Sequence, residues 1–335
     1  MGKDKKKTVR VVTIGGGTGQ FVLLSGLKHY KNLDITAIVS MADDGGSTGE
    51  LRDEYGVLPP GDLRQCLVAL AEEDGLLREA MTYRFECGSF AGHNFGNLLL
   101  SVFEKISPNY NEMLDGLAAV LRLRGRVVPV TTSKVRLRFE LGDGATLRGQ
   151  YKLALSPVAR HGGVHRIRLE PRARLNPLAA EAVRHADLIV VGPGGLYDSL
   201  LPNFAVSGFT EVFRAGGAKK IAVAPLMNRR GQTDDMTVYG FMAELERFIG
   251  AGSLDAVVVN AAQPRAELLR KYESEGEPVM IGVRPKEANY RLMRANLLGD
   301  TITKPKRGDF LRRTLIRHDP AKLARAVLRA SFLRK

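Results

Sequence analysis

Tryptophan is absent from this 335-residue chain, and cysteine occurs only at Cys66 and Cys87. Two thiols do not make a disulfide scaffold, so the chain is expected in a reducing compartment, the cytoplasm. Aromatic residues amount to 7%, and no helix-turn-helix or base-stacking signature accompanies them, which argues against nucleic acid as a partner. No apolar run approaches the roughly 18 residues of a membrane span, so no membrane insertion is expected. The start, Met1 to Lys7, is basic, has no apolar stretch before a cleavage site, and reads as a frayed tail. Two phosphate-loop patterns are missing as well. No Lys-Ser/Thr pair follows Gly19, which excludes a Walker A loop, and Gln20 stands where a strict dinucleotide fingerprint has its third glycine.

What is plentiful is positive charge. Fifty Lys and Arg against 36 Asp and Glu give a formal charge of +14. Because the arginines are scattered and not interleaved with aromatics, a phosphorylated small molecule suits this balance better than a polymer. The length would accommodate about two average domains. The motifs, however, run on without a linker, so the chain reads as one domain over residues 8–335. A β-rich insert at about 125–172 interrupts it.

The organising stretch is Val11 to Ser47. A β-branched run, Val11 to Ile14, meets Gly15-Gly16-Gly17-Thr18-Gly19. Phe21, Leu24 and Leu27 then recur at helical spacing, and Ile35 to Val39 forms a second apolar run. This is a strand, a glycine loop, a helix beginning near Gly19 and a second strand, one βαβ unit. Glycines let a ligand approach the backbone, and the helix start offers N–H groups and a positive dipole end to an anion. The alternative is a tight turn without a ligand. Next come Asp43-Asp44-Gly45-Gly46-Ser47. The two carboxylates either meet ribose hydroxyls, hold a divalent cation such as Mg²⁺ beside a phosphate, or simply cap the next segment. In Pro59-Pro60-Gly61-Asp62-Leu63-Arg64, Asp62 reads as an N-cap. Arg64 in a first helical turn opposes the dipole and so suggests an anionic partner.

Further along, Gly92-His93-Asn94-Phe95-Gly96-Asn97 opens a strongly apolar helix. His93 there is either structural or a partner for a phosphate or base. Between Gly125 and Arg172, period-2 alternation at Val135 to Glu140 and the turn Gly142-Asp143-Gly144 indicate a small antiparallel sheet with Arg on its wet face. Val127 to Val130 and Thr146 to Tyr151 read as its neighbouring strands. His161-Gly162-Gly163-Val164-His165 lacks a third metal ligand. The strand Leu188 to Val191 runs into Gly192-Pro193-Gly194-Gly195, with Ser199 just beyond. The strand Ile221 to Ala224 leads to Asn228 and Arg229. The alternation of strands and helices predicts an α/β fold: a Rossmann-like parallel sheet, helices on both faces, and the small antiparallel insert.

GGGTG at Gly15–Gly19, ADDGGSTGELR at Ala42–Arg52 and PPGDLR at Pro59–Arg64 resemble the YvcK, or gluconeogenesis factor, family. So do GHNFGNLLL at Gly92–Leu100 and GPGGLYDSLLPNF at Gly192–Phe204. That family is related to CofD, the 2-phospho-L-lactate transferases of deazaflavin coenzyme synthesis. The resemblance implies a nucleotide site at the sheet's carboxyl edge and a UDP-sugar ligand such as UDP-N-acetylglucosamine or UDP-glucose. It also implies a cytoplasmic role linking carbon metabolism to cell wall synthesis and cell shape. Cell-wall enzymes and a second copy of the chain are the candidate protein partners. No settled catalytic activity comes with this branch; the alternative is a CofD-type transferase. The expected ligand-binding residues are Gly15, Gly16, Gly17, Thr18, Gly19, Asp43, Asp44, Gly45, Gly46, Ser47, Arg64, His93, Asn94, Asn97, Gly192, Gly194, Ser199, Asn228 and Arg229. Asp43 and Asp44 are the expected metal ligands. The chain departs from the family pattern at Gly195, at Asp198, and across Pro225 to Thr233, where Arg229 and Arg230 bring charge to positions the family keeps neutral.

The glycine loop yields a first test. Gly17→Val is expected to abolish nucleotide binding while the fold survives, since the added methyls fill the space where phosphate meets backbone N–H groups. Calorimetry on the purified variant measures this, and unchanged affinity would reduce the loop to a turn.

Overall fold

The computed structural model describes residues 8–72, 75–149, 153, 163–272, 276–299 and 316–333. Seven strands form its main sheet: β1 (Val9–Gly15), β2 (Leu33–Val39), β3 (Arg126–Pro129), β7 (Leu188–Val191), β8 (Lys219–Val223), β9 (Ala256–Asn260) and β10 (Arg291–Ala295). Their order is β10-β9-β8-β7-β1-β2-β3, and every neighbouring pair is parallel. The order reverses between β1 and β7. In a doubly wound sheet, the crevice beyond the carboxyl ends of the strands at that reversal is where ligands bind.

Alternation along the strands divides the core in two. Val12, Ile14, Ile189 and Val191 face one side, while Val11, Ile35, Val39, Leu188 and Val190 face the other. The second side is covered by α1 (Gly17–Leu27), α3 (Pro60–Leu70), α5 (Phe95–Ile106), α6 (Tyr110–Val120) and α12 (Pro320–Ala330). The first is covered by α7 (Pro177–His185), α9 (Phe209–Ala215) and α10 (Val238–Ile249). Both faces are therefore buried, which explains why the central strands read as near-continuous apolar runs. Shorter elements join these: α2 (Gly46–Tyr55), α4 (Leu76–Ala80), a π-helical turn at Leu196–Leu200, α8 (Leu201–Phe204) and α11 (Ala266–Tyr272).

The insert is an antiparallel sheet of β4 (Arg136–Leu141), β5 (Thr146–Arg148) and β6 (Val164–Glu170) in the order β5-β4-β6. Leu137, Phe139, Leu141, Ile167 and Leu169 join the first core face. On the wet face Arg138 lies opposite both Arg148 and Arg168. Like charges in register repel, and here Arg138 pairs with Glu170 at 2.6 Å and Arg168 with Glu140 at 2.9 Å.

The structure corrects three boundaries. Val127 to Pro129 pairs in parallel with β2 and so closes the main sheet; the insert's first strand is Arg136–Leu141, not a segment near Gly125. Helix α1 starts at Gly17, and the cap of α3 is Pro59, so Asp62 lies inside the first turn of α3. Residues Gln150, Tyr151, His161 and Gly162 lie outside the described residues.

Helix α12 returns to pack on α1, and the contact is close. A Cβ on Gly26 would stand 2.0 Å from the Pro320 carbonyl oxygen. Gly116, exposed in α6, has nothing within 4 Å. Gly26→Val is expected to destabilise by at least about 1–3 kcal/mol, the usual cost of overpacking. Gly116→Ala should stabilise by about 0.5–1 kcal/mol through helix propensity. Denaturant titration of the two variants reads both; equal midpoints would contradict the packing described.

Candidate functional site

The glycine loop hangs between two fixed points. Below it Gln20, fully buried, donates from Nε2 to the Thr13 hydroxyl at 3.0 Å and to the Ile38 carbonyl at 3.1 Å, tying β1 to β2. A glutamine at this position is thus a strut inside the sheet, and burial pushes the neighbouring Cys66 thiol well up, which leaves it unreactive. Above the loop, Gly19 lies against the loop after β7, where a Cβ would come 2.2 Å from the Pro193 carbonyl oxygen. Only glycine permits that approach. The two loops at the β1/β7 reversal therefore meet, bringing together Gly15 to Gly19 with Gly192, Gly194 and Ser199. A Cβ on Gly17, whose φ is +63°, would lie 3.6 Å from Asp62 Oδ1 and 3.9 Å from Ser199 Oγ. Thr18 lies within the first turn of α1, and its hydroxyl bonds Gln65 Oε1 at 3.4 Å.

The N-cap of α1 is Gly16 and that of α2 is Gly45. Neither has a side-chain cap, and neither carries an acidic residue in its first turn. Helices α5, α6, α7, α10 and α12 are capped by the side chains of Asn94, Asn109, Asn176, Thr237 and Asp319. Side-chain caps are also lacking on α3, α4, α8 and α9, but the uncapped N–H groups of α1 and α2 sit beyond the ends of the adjacent strands β1 and β2, a place suited to an anion.

The carboxylates are arranged differently from the expected pair. Asp43 accepts from the Gly45 N–H at 3.0 Å and turns Oδ2 toward Gly61 and Thr48, whereas Asp44 turns Oδ2 toward Gly149. Asp62 points at Gly16, where a Cβ would meet its Oδ2 at 2.2 Å. Asp62 is therefore a third carboxylate near the glycine loop, beside the expected cation ligands Asp43 and Asp44. Among the described residues no three His, Cys, Asp or Glu side chains converge as a metal cage. The donor set fits a cation that keeps waters and shares phosphate oxygens, the usual manner of Mg²⁺. Sequence spacing could not show this, because Asp62 arrives from a different helix.

Ser47, Arg64, His93 and Asn97 form one chain of contacts. Arg64 donates from Nε to Asn97 Oδ1 at 2.8 Å and from Nη1 to the Met81 carbonyl at 3.0 Å. Its guanidinium is buried, so its position against the dipole is offset by internal acceptors. Asn97 Nδ2 approaches Ser47 Oγ at 3.5 Å, Ser47 Oγ lies 3.0 Å from His93 Nδ1, and His93 Nε2 lies 3.2 Å from Glu50 Oε2. Asn94 caps α5 through the Asn97 N–H and donates to the Tyr83 carbonyl at 2.8 Å. Asn94 thus has a structural task.

At the far side of the crevice, two departures from the family pattern answer each other. Asp198 accepts from Arg229 Nη1 and lies 3.1 Å from Ser199 Oγ. The added acid and the added base form an ion pair beside the β7 loop. Asn228 donates to the Met236 carbonyl at 2.9 Å, which fixes its amide. Its buried Oδ1, like the buried Oε1 of Gln232, has no hydrogen-bond partner among the described residues. Sequence reading did not single out Glu50, which meets His93, Arg52, which bonds the Asp43 carbonyl, or Asp62, which meets Gly16, as site residues. A carboxylate, an arginine or an amide on a helix or loop carries no local signal of what it faces.

Cavities of 640 Å³, walled by Lys219, Arg214 and Asp255, and of 390 Å³, walled by Arg10, Asp34 and Arg126, open at the other, amino-terminal edge of the sheet. They lack the glycine loops and uncapped helix starts, so the carboxyl edge is the candidate ligand site. No helix among the described residues is long and apolar enough to cross a membrane.

Comparison with known proteins gives the family and the fold. Residues 11–298 match the family model described as 2-phospho-L-lactate transferase CofD. The gluconeogenesis factor of Bacillus subtilis is 36% identical, over 94% of this chain and 96% of its own length. That of Halalkalibacterium halodurans is 39% identical over 83% of this chain and 85% of its own. A crystal structure of a UPF0052-family protein from Bacillus halodurans superposes with a TM-score of 0.86 at 33% identity, covering 96% of this chain and 99% of that one. The chain belongs to the CofD-like family that includes the YvcK gluconeogenesis factors.

Proposed function

We propose that this protein is a cytoplasmic nucleotide-sugar-binding regulator, taking UDP-N-acetylglucosamine or UDP-glucose and coupling carbon supply to cell wall synthesis. The observation that carries the reading is the pair of uncapped helix starts, at Gly17 and Gly46, beyond the adjacent strands β1 and β2, the first of which lies at the reversal with β7. A diphosphate supplies two neighbouring anionic groups to two neighbouring sets of N–H donors. Asp43 and Asp62 suit a Mg²⁺ bridging to those phosphates, and the buried acceptors on Asn228 and Gln232 suit N–H donors on a base or an acetamido group. The carbon-metabolism part follows the names of the relatives, and the uracil preference follows the family resemblance.

Binding is read by thermal shift. A ligand at about 100 times its dissociation constant stabilises by roughly 2.7 kcal/mol, which at about 2–4 °C per kcal/mol gives a shift of several degrees. UDP-N-acetylglucosamine or UDP-glucose should produce it, NAD and a deazaflavin much less. EDTA and Asp62→Asn should each shrink it, Asp44→Asn should not, and a strong deazaflavin response with phosphate transfer, without any for UDP-sugars, would favour the transferase.

A further inference from the structure

Ser47 occupies an unusual position. It is the second residue of α2, its side chain is buried, and it ends a relay whose polarity the surrounding bonds determine. Arg64 holds the Asn97 amide by its oxygen, so the Asn97 NH₂ faces Ser47 and donates to Oγ. Glu50 lies on His93 Nε2 and, being an acceptor, fixes the ring proton there. With the ring proton on Nε2 and none on Nδ1, Nδ1 is an acceptor, and in that tautomer the Ser47 hydroxyl donates to His93. A serine hydroxyl on an imidazole that is itself oriented by a carboxylate is the arrangement of an activated nucleophile.

A second feature specifies the electrophile. Arg52, also on α2, is buried with 8% of its side chain exposed. Its Nη1 reaches back 3.1 Å to the Asp43 carbonyl, just before the helix begins. Its Nη2 is buried and has no hydrogen-bond partner among the described residues. Arg52 sits in the last turn of α2 and its Nε lies 3.5 Å from Asp53 Oδ1, so the buried Nη2 is the guanidinium N–H left unmatched, and such a group calls for an anionic oxygen. We propose that Ser47 is a nucleophile for phosphoryl groups, with His93 as its base, Glu50 as the residue that positions His93, and Arg52 as donor to a phosphoryl oxygen. The donor substrate is a phosphoanhydride. Ser47 Oγ forms a bond to phosphorus, and the bridging P–O bond breaks with its electron pair going to the leaving phosphate. The serine proton passes to His93 Nδ1, leaving Ser47 phosphorylated. This assignment goes beyond nucleotide-sugar binding and does not depend on it.

The test needs no nucleotide sugar. The full chain is treated with a fluorophosphonate, which loses fluoride on attack, and the adduct is mapped by peptide mass spectrometry. Ser47 should be modified and Ser199, which has Asp198 but no histidine beside it, should not. His93→Ala should slow labelling at least about tenfold. Glu50→Gln should slow it less, and Glu50→Asp should restore part of the rate, which a merely packing role would not do. Incubation with ATP, a general phosphoanhydride, should place phosphate on the same residue. A wild-type chain unlabelled at Ser47, or labelling indifferent to His93→Ala in a variant of unchanged melting temperature, would overturn the proposal. Acetyl transfer to Ser47 from p-nitrophenyl acetate without phosphate transfer from ATP would overturn the phosphoryl assignment.

Discussion

The contact on which the site depends is that between Gly19 and the Pro193 carbonyl. Two loops from strands distant in sequence must touch, and they touch only if α1 has no Cβ on the side facing β7. Gln20, one residue on, fastens the same turn to the sheet from below. The glycine loop is therefore held by a backbone approach above and by side-chain hydrogen bonds beneath. The backbone N–H groups of α1 then stand at the edge of the crevice without needing a side chain to place them.

Much of this was legible in the sequence because buried parallel strands announce themselves. Val11 to Ile14, Leu188 to Val191 and Ala256 to Val259 are apolar on both faces, and each ends at a turn or glycine signal. β10 escaped notice because Arg291–Ala295 carries two arginines and lies half exposed at the sheet edge. β3 was recognisable as a strand, but its partner was not, since pairing of Thr36 with Arg126 joins segments with five helices between them. The site was legible as a set of loops and not as a set of contacts. The divergence of Asp43 and Asp44, the arrival of Asp62 at Gly16, and the pairing of Asp198 with Arg229 are all tertiary facts.

Charge is distributed with similar economy. The chain is strongly cationic, yet in the described insert the Arg138 and Arg168 charges meet Glu170 and Glu140 at close range. Exposed pairs of this sort contribute little stability, typically below about 1 kcal/mol. Their effect is to make a rung of three arginines tolerable on one sheet. Within the crevice the balance is reversed: carboxylates gather beside helix starts that attract anions, an arrangement that favours a ligand bringing both phosphate and a cation.

The position of β1 at the middle of the sheet has a consequence for synthesis. Its backbone is bonded on one side to β2 and on the other to a segment far downstream; the Arg10 N–H alone reaches Asp187, 177 residues away. At about 5–20 residues per second a ribosome delivers that partner about 10–35 s after β1 emerges. Until then one edge of the central strand is bare, and the core face formed by Val12 and Ile14 has none of the helices that will cover it. The β1–β2–β3 half with α1, α3, α5 and α6 is the only part that can assemble early. Closure of β1 against β7 is thus a non-local step that must wait for the second half of the chain to be made.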